Sequence, residues 1–403
     1  MICPICHEKF SHSYKCPLNN LIRTKIKDIK DFSGTSPPQI FIGSKLTYPK
    51  VNVGVLSPPV QTENAWMYAD QEYWTKNKID IQSIINLRQN LINARFQTTV
   101  KSTEKFTDLA KEIGMAKNTV NIEVEVEKPL TSKPLLDKIT LPSSPTASLQ
   151  KLTLNENPKI PTKVDKVVSD TDLKAAEALK YLYTADFNTQ TLQQLLSLGV
   201  LGIQKNRRLV PTRWSITASD DIITKQILEE VKTYPIIQEF TLHKGYFMGN
   251  FYLILLFQEI FSFELFETYL PRSSWNPSDV TKTSTDYEDH NGRKEYVKET
   301  AGGYYATRLP IVEYLKNKKR QAAVLVFRFE TPEYWASLGV WVVRSSTKKA
   351  LENKKETFPT KEQLLERAKE IGLRTYNVDI TPFLKQSKLL NTLNTQQKLR
   401  NFF

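Results

Sequence analysis

The sequence predicts a mixed α/β or α+β fold with more than one domain. The chain has 403 residues, which is enough for two or three hydrophobic cores. The alternating segment Asn121–Glu127 and the apolar segment Ala322–Phe329 predict strands, whereas the periodic segment Asp80–Phe96 predicts a helix. Residues from Lys128 to Val168 are rich in proline, serine, threonine and lysine, which is typical of a linker. Helices and strands are therefore interspersed along the chain, and domain borders are expected between them.

The first sixteen residues contain all three cysteines, at Cys3, Cys6 and Cys16. A Cys-x2-Cys pair can bind one side of a zinc ion, and His12 with Cys16 would complete a tetrahedral set. His7 is the alternative histidine ligand, but the three-residue gap between His12 and Cys16 is a common spacing. Four protein ligands leave no open coordination position, so we expect a structural zinc module over residues 1–20.

The charge balance favours a polyanionic partner, since the formal net charge is +13 and the isoelectric point is near 9.3. The chain has no run of about 18 apolar residues. It also lacks the basic and then apolar pattern of a secretory signal. These features exclude a membrane-spanning protein and predict a cytoplasmic, nucleoid-associated one with no membrane partner.

The predicted helix Asp80–Phe96 carries two arginines at the spacing of its buried stripe. Asp80 is placed to cap the helix, and the isoleucines at 81, 84 and 85 form the stripe that Arg88 and Arg95 continue. An arginine on or beside a buried face needs an anionic partner. That partner is either an internal carboxylate or a phosphate, so both arginines are candidate nucleic-acid ligands.

A basic cluster with one tryptophan follows two predicted helices, Asp172–Tyr183 and Thr189–Leu198. It contains Lys205, Arg207, Arg208, Arg213 and Trp214. Guanidinium groups match phosphate oxygens, and an indole ring can stack on a base. The alternative is an internal network in which an arginine pairs with a buried acid and the tryptophan lies in the core.

Candidate catalytic groups are few. Asp220 and Asp221 are expected to begin a helix, where carboxylates stabilise the helix dipole. Two adjacent carboxylates could instead hold a metal for phosphodiester chemistry. Asp220, Asp221, His243 and Arg213 are thus the catalytic candidates. For His243 the alternative is a structural role in the core or on the surface, which is more common for a single histidine.

The second half of the chain predicts either a pair of buried strands or a strand and the start of a helix within Asn250–Leu270. It also predicts a helix that starts at Gly302 and a buried strand at Gly339–Val343. A capping box at Thr360 predicts a helix that ends at Ile371 before Gly372. The polar residues from 385 to 395 are expected to form a flexible tether.

The last eight residues combine a glutamine, a leucine and two phenylalanines. One helical or 3₁₀ turn would bring Leu399, Phe402 and Phe403 to one side and leave Gln396 at the edge. The pattern resembles the sliding-clamp (PCNA) binding box, QxxLxxFF. The alternative is an apolar tail that packs on its own domain.

Five long strings of residues resemble the archaeal Nre family of DNA repair proteins. They are Phe32–Gly54, Glu156–Asp170, Asn206–Asp221, Ala301–Ala306 and Leu338–Arg344. The resemblance implies a DNA-damage role over nearly the whole chain, and the NreA branch of that family carries a clamp-binding box at its carboxyl end.

We therefore expect four parts: a zinc module at 1–20, a large Nre domain at 21–280, a smaller one at 285–384 and a flexible tail at 385–403. A linker or loop is expected within the large domain at 128–154. The leading hypothesis is a DNA-binding repair protein that zinc stabilises and the sliding clamp recruits. Its alternatives are a metal- or nucleotide-dependent enzyme acting on DNA, such as a nuclease or transferase, and an RNA-associated or scaffolding protein.

Overall fold

The computed structural model describes residues 29–127, 139–142 and 145–395. The chain forms two compact units. Among the described residues, the first unit comprises those up to Ile223 and the segment Ala336–Trp341, and the second comprises Thr224–Trp335 and those from Val342. The domain border expected at 280–285 falls inside the second unit, at the start of a strand.

The first unit is built on one mixed sheet. Its strands are β1 (Asp31–Ser36), β2 (Ile40–Ile42), β3 (Lys50–Ser57), β4 (Ile92–Thr99), β5 (Val120–Val126) and β6 (Thr146–Leu154). Their order is β1-β5-β6-β4-β3-β2, and all neighbours are antiparallel except β4 and β6. The linker predicted at 128–154 is wrong for its last nine residues, which form β6. The prediction rested on the proline- and serine-rich composition of the region and overlooked the alternating apolar residues Ala147, Leu149 and Leu152, which are buried.

The helix predicted from Asp80 begins as expected but ends early. The Asp80 carboxylate accepts a hydrogen bond from the Ser83 amide at 3.0 Å and caps a helix that runs from Ile81 to Gln89. The prediction of helix as far as Phe96 is wrong. Residues from Ile92 pair with β3 over eight positions, because β-branched and alternating side chains there complete the sheet. Arg95 therefore lies on a strand.

The described residues of the first unit also form α-helices. They are α1 (Gln71–Lys76), α2 (Ile81–Gln89), α3 (Lys105–Met115), α4 (Thr162–Ser169), α5 (Ala175–Thr184) and α6 (Thr189–Ser197). The two helices predicted before the basic cluster are confirmed as α5 and α6, but α5 begins at Ala175, three residues after the predicted start at Asp172. Gly199 follows α6 with φ +64°, and a Cβ there would come within 2.0 Å of the Arg208 carbonyl oxygen.

Helix α7 (Thr212–Val231) starts well before the two aspartates. The Pro211 carbonyl accepts hydrogen bonds from the amides of Trp214 and Ser215, which begins the helix there. The prediction that Asp220 and Asp221 start a helix is therefore wrong. Both lie in its interior, where a carboxylate gains nothing from the helix dipole.

The second unit is built on another mixed sheet. Its strands are β7 (Phe240–Phe247), β8 (Asn250–Phe257), β9 (Ser262–Tyr269), β10 (Lys282–Glu288), β11 (Ala323–Glu330) and β12 (Glu356–Phe358). Their order is β10-β9-β11-β8-β7-β12, with β9 and β11 parallel. Every residue of β8 and β11 is buried, which confirms the two predicted apolar strands and requires cover on both faces.

The helices that follow are α8 (Ala301–Lys318), α9 (Trp341–Glu352), α10 (Lys361–Tyr376), α11 (Thr381–Gln386) and α12 (Lys388–Thr395). The predicted strand at Gly339–Val343 is wrong, because Gly339 has φ +95° and helix α9 starts two residues later. The Thr360 cap is confirmed, since its hydroxyl accepts from the Gln363 amide at 3.2 Å. The helix passes Gly372 and ends at Asn377, which has φ +54°.

The tether expected from residue 385 is wrong as far as Thr395. Helix α12 buries Leu389 and Leu390 in the core of the second unit. The buried carboxylate of Glu264 accepts hydrogen bonds from the Ser387 hydroxyl at 2.5 Å and from the Lys388 and Leu389 amides, each at 3.0 Å. An anion at the amino end of a helix satisfies its unpaired amides, so Glu264 fixes α12 in place. Burial raises the pKa of this carboxyl group, and the hydrogen bonds partly oppose that rise.

A buried arginine network holds the middle of the second sheet. Arg328 of β11 donates to Glu267 at 2.5 Å, to Glu330 at 3.0 Å and to the Asn250 side chain at 2.9 Å. All four residues are at most 6% exposed. Gly303 of α8 lies against the network, and a Cβ there would meet a Glu267 carboxylate oxygen at 2.0 Å. Glycine at this position thus allows the helix to cover the charged groups.

Within the described ranges, no helical segment combines the length and the hydrophobicity that a membrane span requires.

Candidate nucleic-acid surface

Arg88, which the sequence offers as a nucleic-acid ligand, lies inside the first unit. It is 3% exposed and donates to the Gln39 side chain at 2.6 Å, to the Tyr68 carbonyl at 3.0 Å and to the Pro142 carbonyl at 3.2 Å. Burial lowers the pKa of its guanidinium group to about 9. Arg88 therefore joins three segments of the chain and is not placed to reach a ligand.

Arg207 has a similar internal role. Its guanidinium group donates to the carbonyl oxygens of Gly202 at 2.7 Å, Val168 at 2.7 Å and Asp170 at 2.6 Å. Burial lowers the pKa of Arg207, and the nearby Asp170 carboxylate partly opposes this. Because each of its nitrogens serves a carbonyl, this arginine holds the loop before α7 against the end of α4.

Arg208 points to solvent beside an aromatic side chain that we did not predict. Its guanidinium group donates to the Tyr48 hydroxyl at 3.3 Å, and Tyr48 is 59% exposed. Tyr48 lies in the hairpin between β2 and β3, which also presents Lys45 and Lys50. The Tyr-Pro pair at 48–49, in a loop between two short strands, was the sequence signal that could have indicated it.

Three segments are hydrogen-bonded side by side around this point. The Val100 amide, just after β4, donates to the Pro49 carbonyl at 3.0 Å, and the Leu209 amide donates to the Val100 carbonyl at 2.8 Å. The Ile42 amide, at the end of β2, donates to the Thr212 hydroxyl at 2.8 Å. The hairpin, the loop after the 3₁₀ turn Gln204–Asn206 and the start of α7 are thus held together.

The first turn of α7 extends this surface. Arg213 and Trp214 are both exposed, and 54% of the Trp214 residue is accessible. Lys205 is exposed on the 3₁₀ turn. We call these residues together the loop-end surface: Tyr48, Lys205, Arg208, Arg213 and Trp214. It combines three cations with two accessible aromatic rings, which is the chemistry that binds phosphates and bases.

Arg95 lies apart from that loop, on the solvent side of β4. It is half-buried, and its guanidinium carbon is 5.8 Å from the centroid of the Phe41 ring. Burial lowers the pKa of Arg95. The structure therefore divides the seven predicted nucleic-acid ligands into three groups. Arg88 and Arg207 bond to the protein's own backbone, Arg95 lies on the sheet, and the other four belong to the loop-end surface.

The catalytic candidates lie in different settings. Asp220 is 1% exposed and accepts a hydrogen bond from the Gln193 side chain at 3.3 Å, while Asp221 is half-buried. His243 belongs to the second unit, where its ring packs edge-on against Tyr314 at 5.0 Å between centroids. Burial, together with Lys355 and Lys318, lowers the pKa of His243 to about 4. We assign these groups no reaction.

The predicted zinc ligands Cys3, Cys6, His12 and Cys16 lie outside the described residues, as do Gln396, Leu399, Phe402 and Phe403 of the clamp box. In the part of the chain that the structure describes, no three histidine, cysteine, aspartate or glutamate side chains form a group that could hold a metal ion. Both predictions therefore stay predictions.

Two family models together match almost the whole chain. The family model described as "Archaeal Nre, N-terminal" matches residues 10–276, and the model described as "Archaeal Nre, C-terminal" matches residues 288–402. No solved structure is significantly similar to this chain.

Curated relatives agree with the family models. The chain is 39% identical to "DNA repair protein NreA" of Archaeoglobus fulgidus over 350 residues, which cover 85% of this chain and 86% of that protein. It is 32% identical to "DNA repair protein NreB" of the same organism over 391 residues, 97% of either chain. It is 35% identical to "DNA repair protein NreA" of Haloferax volcanii, covering 81% of this chain and 80% of that one. The resemblance predicted from the sequence strings is confirmed: this chain belongs to the archaeal Nre family.

Proposed function

We propose that this protein acts in DNA repair by binding nucleic acid through the loop-end surface and by being recruited to the sliding clamp. One observation carries the first part: exposed Arg208, Arg213 and Lys205 lie with exposed Tyr48 and Trp214 on segments that hydrogen bonds hold together. The names of the curated relatives, all DNA repair proteins, support the role. The net charge of +13 supports a polyanionic ligand.

Two kinds of side chain would contribute to nucleic-acid binding in different ways. Arg208 and Arg213 present guanidinium groups that bind phosphate oxygens and release counterions, so binding weakens as salt rises. Trp214 offers a flat ring on which a base stacks whatever its sequence. The fixed backbone around Thr212 keeps these groups in place, which reduces the entropy lost on binding.

The replacement of Arg208 and Arg213 together by alanine should weaken DNA binding about 10-fold or more at low salt. The slope of log affinity against log salt should fall by about 2, because two phosphate contacts are lost. Fluorescence anisotropy with a labelled oligonucleotide measures both. The matched control is the double variant Arg272→Ala and Arg374→Ala, which removes two exposed arginines from the second unit. An equal loss in the control would show that net charge alone acts, and would overturn the assignment of this surface.

We propose that Gln396, Leu399, Phe402 and Phe403 insert into the apolar pocket of the clamp. Their spacing matches the QxxLxxFF box, and aromatic side chains contribute most of the binding energy in such short segments. We also propose a structural zinc ion on Cys3, Cys6, His12 and Cys16, since this donor set suits tetrahedral zinc.

Deletion of Gln396–Phe403 should abolish clamp binding and leave folding unchanged, because the helix before it is fixed by its own contacts. Calorimetry against the purified clamp measures the binding, and circular dichroism measures the folding. The double variant Phe402→Ala and Phe403→Ala should behave like the deletion, whereas Lys398→Ala should retain binding. If the truncated chain binds as well as the intact one, the clamp assignment is wrong.

A further inference from the structure

One side of the first sheet is polar between β2 and β4. The strand register places Phe41, Gly54 and Arg95 in one row across three strands, and Asn52 opposite Gln97 in the next. Phe41, Asn52 and Arg95 are half-buried and Gln97 is exposed. The alternate residues point the other way, into the core. We call this row and its neighbour the open face.

Arg95 is the charged group of the open face. With the Asn93 amide oriented to accept, its oxygen receives hydrogen bonds from Arg95 Nε at 3.2 Å and Nη2 at 3.0 Å. Among the described residues no carboxylate forms an ion pair with this guanidinium group, whose pKa is lowered by burial. A partly desolvated cation without a counterion is a suitable site for an external anion.

Gly54 shapes the space beside Arg95. A Cβ on Gly54 would come within 1.8 Å of the Asn93 side-chain amide. Glycine therefore allows Asn93 to lie across β3 and orient the guanidinium group.

The other half of the same sheet has the opposite charge. Asp31, Glu123 and Glu125 line a cavity of about 150 Å³ on β1 and β5, and Lys151 there is paired with Glu125 at 2.9 Å. A polyanion is repelled from this half and attracted to the half that carries Arg95 and Lys50. The sheet thus discriminates between the two directions in which a bound strand could run.

We propose that an unpaired nucleic-acid strand follows β3 and β4 from the loop-end surface onto the open face, with a phosphate on Arg95 and a base against Phe41. This inference rests on the proposed function and names the form of nucleic acid that the protein takes. Lys50 and Asn52 of β3 lie about 7 Å apart on the face that carries Arg95, and they directly follow the turn that holds Tyr48. They therefore connect the loop-end surface with Arg95. A duplex keeps its bases stacked inside, so a base reaches Phe41 only from an unpaired strand.

The test compares an unpaired DNA of about 20 nucleotides with a duplex of the same length, using the full chain and fluorescence anisotropy. Gln97→Glu keeps the size of an exposed side chain and places a carboxylate beside Arg95. Arg95→Ala removes the cation. Each should weaken binding of the unpaired strand about 10-fold and change duplex binding less than about 2-fold. Gln363→Glu, on an exposed position of α10, makes the same charge change and should have no effect.

The outcomes separate this inference from the proposed function. The strand path is overturned if Gln97→Glu and Arg95→Ala weaken binding of both DNA forms equally, or of neither. The proposed function still stands in that case if the double variant Arg208→Ala and Arg213→Ala weakens DNA binding. If the unaltered chain binds neither DNA form, the proposed function fails as well. Because Gln97 is exposed, the Gln97→Glu variant should fold normally, and circular dichroism checks this.

Discussion

Replacement of Arg328 by methionine should lower the free energy of unfolding by about 3–5 kcal/mol, the range for a buried ion pair that loses one partner. The variant would leave Glu267 and Glu330, at 3% and 1% exposure, without their cation. Asn250 would also lose the donor to its side-chain oxygen. Urea unfolding followed by circular dichroism measures the loss.

The matched control neutralises all three charges. Arg328→Met combined with Glu267→Gln and Glu330→Gln should recover most of the lost stability, because buried charges cost more when unpaired than when absent. A single Arg328→Met variant that loses less than about 1 kcal/mol would contradict the network, and would mean that water reaches these carboxylates.

Acid should destabilise the protein through His243. Its folded pKa of about 4 lies below the ordinary value of 6.5, so the unfolded chain binds the proton first as the pH falls. The free energy of unfolding should therefore decline between about pH 6.5 and pH 4, with about 3 kcal/mol of that decline due to this residue. Above pH 6.5 the effect should vanish, because His243 is neutral in both states.

Two variants isolate this contribution. In His243→Gln the decline between pH 6.5 and pH 4 should be smaller by about 3 kcal/mol, since the amide does not titrate in this range. His290→Gln, at an exposed position of a loop, is the matched control for the substitution itself. Parallel declines in the His243 variant and the unaltered chain would refute the role of burial.

The sequence predicted elements where local chemistry and tertiary contacts agree. The Asp80 cap, the strand Asn121–Glu127 and the apolar strand at 322–329 all reappear, because capping oxygens and burial patterns act within a few residues. It failed where a partner far away in the chain decides. The residues from Ile92 to Phe96 continue the helical spacing of apolar residues in the sequence. They form a strand instead, because they pair with β3 through backbone hydrogen bonds.

The same limit applies to the candidate site. The basic cluster from Lys205 to Trp214 could be located from composition, but not the direction of each side chain. Arg207 turns inward because the carbonyl oxygens of Gly202, Val168 and Asp170 converge on it. Adjacent Arg208 turns outward to Tyr48, and no property of the dipeptide distinguishes the two.

If the clamp binds as proposed, the anchoring of α12 on Glu264 limits its distance from the second unit. Phe402 follows Thr395 by seven residues, and a chain of that length spans at most about 25 Å whatever conformation it adopts. A ring bound at Phe402 would therefore stay within that radius of a helix end whose position is fixed. Its orientation would be restricted by steric exclusion, and the nucleic acid it encircles would be offered to the protein from a limited range of angles.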